Sequence, residues 1–191
     1  MVAAGFSCLA RRSVSDALIL LGNLGSEAKR FAGGRSRLPM MKLRSTEPSH
    51  LIGLGKIADL PSSAQLGGEI RLGGITTEDE LPGSQLLGCK LLCDKVPLLV
   101  EDAGWVADPQ VHSKGTIDGD DTHGDPADDQ PALMVEVDAS FVLARPAGER
   151  VAEADGFYLG LFTRPLAPDE IMTQIRISLS AAASAGPQAG R

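Results

Sequence analysis

The stretch FAGGRSRLPMMK, Phe31 to Lys42, decides the fold. The segment Ala28 to Ala32 reads as a strand, and it runs straight into Gly33 and Gly34. Two residues without a Cβ let a ligand come close to backbone N–H groups, and Arg35, Arg37 and Lys42 put positive charge beside them. A glycine pair just past the carboxyl end of a strand lies where open α/β sheets bind ligands. Taken alone, the pair is a weak signal and reads as an ordinary strand-ending turn, so its surroundings have to decide.

On the amino-terminal side, SVSDALILLGNLG offers Ser13 or Ser15 as an N-cap. Ala17, Leu18, Leu20 and Leu21 share one helical side, and a glycine ends the segment, which predicts a short helix. On the other side HLIGL, His50 to Leu54, predicts a strand. The glycine pair thus belongs to a small α/β unit. From Glu69 the pattern changes. EIRLGGITT alternates like a strand, TTEDEL has helix-start chemistry, and Leu86 to Val106 is helical in pattern up to Asp108-Pro109. QPALMVEVDA reads as helix, SFVLARP as strand, and DEIMTQIRISL as helix running into a strand. The expectation is an α+β protein: residues 1–57 form an N-terminal α/β subdomain, 58–178 a second α+β subdomain, and 179–191 a flexible tail.

Charge narrows the function classes. Eighteen basic and 25 acidic residues give a net charge of −7, which disfavours nucleic acid and anionic lipid surfaces as partners. The charge is uneven, because Met1 to Leu60 is basic and the remainder strongly acidic, so the first unit can meet an anionic ligand. No apolar run reaches the ~18 to 20 residues of a membrane span, and the weak Arg11-Arg12 start lacks a signal-peptide pattern, so a cytoplasmic location is expected. Cys8, Cys89 and Cys93 suit reduced thiols rather than a disulfide framework, and the Cys89/Cys93 pair reads as apolar helix face. His50, His112 and His123 are too scattered for an acid–base or metal role, and Ser36 lacks a nucleophile elbow.

The second glycine-rich stretch, KGTIDGDDTHGDPADDQPAL, carries six aspartates between Lys114 and Leu133. An EF-hand loop counted from Asp118 fails, since His123 stands where glycine is required and no glutamate closes the loop. A disordered linker fits the composition but not the apolar residues on either side, Ile117, Pro131 to Val135 and Val137.

Five blocks in order, AGGRSRLPMMKLR, GGITTEDEL, VADPQVHSKGTIDG, GDPADDQPAL and FYLGLFTRPLAPDEIMTQIRI, resemble the FAD-binding medium subunit of the molybdenum hydroxylases, the carbon monoxide dehydrogenase and xanthine dehydrogenase family. The likeness runs from about Ser13 to Ile177. It implies a PCMH-type FAD-binding fold of two α/β subdomains with a cofactor cleft between them. It also implies that the loop Ala32, Gly33, Gly34, Arg35 and Ser36 and the loop Thr116, Ile117, Asp118, Gly119 and Asp120 wrap the FAD pyrophosphate, with Asp129 on cofactor hydroxyls. The implied task is electron transfer: a molybdenum-containing large subunit and a [2Fe-2S] small subunit deliver electrons, and the flavin passes them to an external acceptor. No side chain then needs to act as a nucleophile or base.

The pattern departs from the family at Asp118, where glycine is usual, at Asp120, where Asn or Ser is usual, and at His112-Ser113-Lys114, where Arg-Asn-Arg is usual. A carboxylate about 4 Å from a phosphate charge costs ~1 kcal/mol in water and ~4 kcal/mol at an effective dielectric near 20, so the substitutions predict weakened binding. Arg35, where the family often has His or Gln, is expected to offset part of this. The family's C-terminal domain is expected to be lacking. The alternative reading is a truncated or degenerate FAD domain that acts as a subunit-docking scaffold.

Overall fold

The computed structural model describes residues 3–77, 80, 114–119, 130–159, 163 and 165–179. The expected helix over Leu86 to Val106, Cys89, Cys93, Trp105, His112, His123, Asp120, Asp129 and nearly all of the C-terminal tail lie outside them.

Three short strands, β1 (Ser7–Ala10), β2 (Ala28–Phe31) and β3 (His50–Gly53), form a parallel sheet in the order β1-β3-β2. Helix α1 (Val14–Leu24) is the crossover between β1 and β2. Ser13 caps it, its Oγ accepting the Asp16 N–H at 3.1 Å. Gly25, at φ 53°, ends it by donating its N–H to the Leu21 carbonyl. The predicted stripe packs as its spacing demands, with Ala17, Leu18 and Leu21 buried. β1 gave no signal in the sequence, because as an edge strand it is largely exposed and has no buried alternation. Helix α2 (Arg37–Lys42) was equally silent: it is six residues long, and Pro39 is tolerated in its first turn, where N–H groups lack intrahelical partners anyway.

The second sheet has five antiparallel strands, β4 (Ala64–Leu66), β5 (Glu69–Gly73), β6 (Ser140–Arg145), β7 (Gly148–Glu153) and β8 (Ile171–Ser178), in the order β4-β5-β8-β6-β7. Helix α3 (Gln130–Glu136) buries Leu133 and Met134 against this sheet, in a core with Ile70, Leu72, Phe141 and Ile175. Phe141 and Phe157 pack in a tilted pair with ring centres 4.6 Å apart, and Tyr158 meets both rings edge-on, so it is a packing residue. The Thr77 N–H donates to Glu80 Oε2 at 2.9 Å, half of a capping box and the helix-start chemistry read in TTEDEL.

One expectation fails: DEIMTQIRISL does not begin as a helix. From Ile171 onward it is β8, the middle strand of the sheet, and it pairs with β5 and β6. The helical appearance came from Ile171, Met172 and Ile175, which cannot all share one face of a regular strand. A bulge reconciles them. Val142 pairs with Gln174 and Leu143 with Met172, so Thr173 is the extra residue and the pleat is reset. Met172 and Ile175 then both enter the sheet's core, while Ile171 joins a second cluster with Ala17, Leu18, Ile52, Leu60 and Ala144. That cluster fills the space between the two sheets.

The approach to β8 is braced by Glu170, which is 4% exposed. Its two carboxylate oxygens accept Arg150 Nε and Nη2, each at 2.7 Å, and Oε2 also accepts the Ala167 N–H at 2.9 Å. The hydrogen-bonded Arg150 guanidinium holds the Glu170 carboxyl below its ordinary value of 4.5, against the opposing effect of burial. A depressed carboxyl contributes stability that is present above its unfolded value and is lost as the pH falls through the folded one. Thermal unfolding across a pH series is therefore expected to show a falling melting temperature below about pH 4.5. Glu170→Gln should cost ~2 kcal/mol at neutral pH and flatten that acid limb.

Candidate functional site

A cleft lies at the carboxyl ends of β2 and β3, between the glycine pair and residues 114–119. The two loops touch through Gly33. A Cβ placed on Gly33 would stand 1.5 Å from the Lys114 carbonyl oxygen, so only a bare Cα permits this approach. Gly34 has φ 82°, and a Cβ there would strike the Phe31 ring at 2.7 Å. The N–H groups of Gly33 and Gly34 have no acceptor among the described residues, as an anion-binding turn requires.

The other loop is fixed differently. Thr116 bridges to Thr77, the Ile117 N–H donates to the Thr76 carbonyl at 3.1 Å, and the Asp118 N–H to the Gly74 carbonyl at 2.9 Å. The Gly119 N–H bonds Thr116 Oγ1 at 3.2 Å. These donors are consumed in pinning the loop onto the extension of β5. Ile117, fully buried, is the loop's anchor in the core. Of the residues read from the sequence, Ala32, Gly33, Gly34, Arg35, Ser36, Thr116, Asp118 and Gly119 all line the cleft.

Sequence reasoning missed Arg30 and Lys114 as cleft residues and placed Arg37 only as charge near the glycine pair; all three line the cleft. Arg30 is partly buried, and its Nη1 donates to the Ala167 carbonyl at 3.0 Å and to the Glu170 carbonyl. Burial, above all, pulls its guanidinium below the ordinary value. Asp118 opposes this, Arg37 adds repulsion, and Glu170 and Asp169 oppose it further. Arg37 is likewise lowered by burial and supported by Asp118. Lys29 is lowered first by burial and then by the charges of Arg37 and Arg30. Asp118, 5% exposed, thus lies in the field of two desolvated guanidinium groups, whereas the sequence pointed only to Arg35 as its offset. A readable signal existed: an arginine inside a strand of a small parallel sheet is forced toward burial and so needs acceptors.

An open backbone nest, a cationic wall and a glycine contact between loops suit a ligand that carries a diphosphate. Residues 4–179 match the family described as the FAD binding domain in molybdopterin dehydrogenase. The chain is 45% identical over 177 residues to the carbon monoxide dehydrogenase medium chain of Hydrogenophaga pseudoflava, covering 93% of this chain and 60% of that one. It is 38% identical to the medium chain of Afipia carboxidovorans, with the same coverage. It superposes at a TM-score of 0.87 and 44% identity on the solved carbon monoxide dehydrogenase from Hydrogenophaga pseudoflava that lacks the Mo-pyranopterin moiety of its cofactor, again over 93% of this chain and 60% of the other. The chain thus spans about three-fifths of the length of these relatives. With the cleft, the order of its blocks and both sheets in agreement, the chain belongs to the FAD-binding domain family of the molybdopterin dehydrogenases.

Proposed function

We propose that this chain binds FAD in the cleft and serves as the flavin-holding part of a medium subunit in a molybdenum hydroxylase, with residues 1–57 and 58–178 as its two lobes. The observation that carries this reading is the contact of Gly33 with the Lys114 carbonyl, which brings both loops to one cleft. The residues fit the cofactor: the N–H groups of Gly33 and Gly34 would hold the pyrophosphate, Arg37 and Lys114 would face its charge, and Asp129 would accept hydroxyl hydrogens. Bound FAD supplies the electron exchange, and the chain's own residues bind it, orient it and set the charge around it. Electrons would enter from a [2Fe-2S] small subunit served by a molybdenum-containing large subunit, and leave to an external acceptor.

Titration of the purified chain with FAD tests this. Flavin fluorescence should be quenched, the protein should acquire the yellow flavin spectrum, and FAD at about 100 times its Kd should stabilise the fold by ~2.7 kcal/mol. A folded, colourless protein that ignores added FAD would support the docking-scaffold reading instead.

A further inference from the structure

The carboxylate of Asp118 is an unexpected occupant of a cleft suited to a diphosphate. It is buried at the cleft wall, its backbone is pinned to Gly74, and it lines the same space as Arg30 and Arg37. Arg30 cannot leave easily, since it is tied to the carbonyls of Ala167 and Glu170, and Arg37 lines the cleft beside it from the start of helix α2. Burial penalises both guanidinium groups, and Asp118, on the same cleft wall, offsets that penalty for each. We propose that Asp118 is a resident counterion of the cleft, a positioning residue that stabilises Arg30 and Arg37 in the unliganded protein and competes with the ligand's phosphates for them.

The proposal rests on the FAD reading and adds a specific trade to it: the chain holds its cleft together without ligand at the expense of affinity for the diphosphate. With Asp118 ionised, these three side chains carry one net positive charge; with an uncharged side chain in its place they carry two. A dianionic group should therefore bind more tightly to the uncharged variant, and a ligand without phosphate should not. Desolvated cations without their counterion should make the unliganded variant less stable.

Asp118→Asn tests both sides, because asparagine keeps the shape and removes the charge. Three probes separate the contributions: FAD, ADP as the diphosphate half, and riboflavin as the flavin half without phosphate. The variant is expected to bind FAD and ADP about tenfold or more tightly than the parent protein, with riboflavin affinity unchanged. Its ligand-free melting temperature should fall, and the rise on adding FAD should be larger than in the parent. Equal FAD affinity in both proteins, or an equal gain for riboflavin, would overturn the counterion role while leaving the FAD reading intact. If neither folded protein binds FAD or ADP, the counterion role and the FAD reading fall together. Should the Asp118→Asn protein not fold, Asp118→Ser with the same probes carries the same expectations.

Discussion

Gly33→Ala is expected to lower FAD affinity about 100-fold, or ~2.7 kcal/mol, and to destabilise the fold by ~1–3 kcal/mol. The added methyl would stand 1.5 Å from the Lys114 carbonyl oxygen, which is backbone and has no rotamer by which to withdraw. The two loops must part, and a nest displaced by about 1 Å no longer meets a phosphate with aligned N–H groups. FAD titration beside thermal unfolding measures both effects. Gly22→Ala is the control. Gly22 lies within α1 with open space where its Cβ would go, so alanine there should be neutral or stabilise by up to ~1 kcal/mol. If Gly33→Ala binds FAD as the parent does, contact between the loops is irrelevant to the ligand.

Arg30→Ala is expected to cost about 3–5 kcal/mol, a fall in melting temperature of roughly 10 °C or more. This one side chain ties strand β2 of the first sheet to the segment that feeds β8 of the second, through the carbonyls of Ala167 and Glu170. Its removal takes a donor from two carbonyls, of which that of Ala167 keeps the Glu170 N–H, and removes one of the cations whose charge Asp118 offsets. Arg30→Lys should recover part of the loss, since an ammonium lacks the planar fork that reaches two acceptors. The double variant Arg30→Ala/Asp118→Asn should lose less than the sum of the singles, because each removes the other's opposite charge. Strict additivity by denaturant unfolding would mean that the two groups do not sense each other.

Where residues act through their neighbours in sequence, the fold was legible. Ser13, the apolar stripe of α1 and Gly25 are local signals, and the helix appears where they place it. β3, β5, α3 and β6 were likewise announced by short runs whose apolar residues become buried, and β2 by the glycine pair that follows it. Legibility ended where a partner distant in sequence decides. Met172 and Ile175 share a face only because of the offset between β6 and β8, and no local period encodes that bulge. The candidate site divides in the same way. Gly33 and Gly34 advertise a close approach by what they lack, whereas Arg30 acquires its role from carbonyls 137 and 140 residues away. The order of the sequence blocks showed that two loops belong together, and the packing of Gly33 against Lys114 shows how closely.

β8 is the last of the described strands in the chain but the middle one in its sheet. As the polypeptide emerges from the ribosome, β4–β5 and β6–β7 can each close as a hairpin, yet neither has its inner neighbour until residues 171–178 arrive. During synthesis both β5 and β6 present an unpaired apolar margin, open to pairing with another nascent copy. Insertion of the final strand closes both margins in a single event, so assembly of this sheet waits for nearly the whole described chain to be made, and translation stalled before Ile171 should leave a product that aggregates or recruits chaperones.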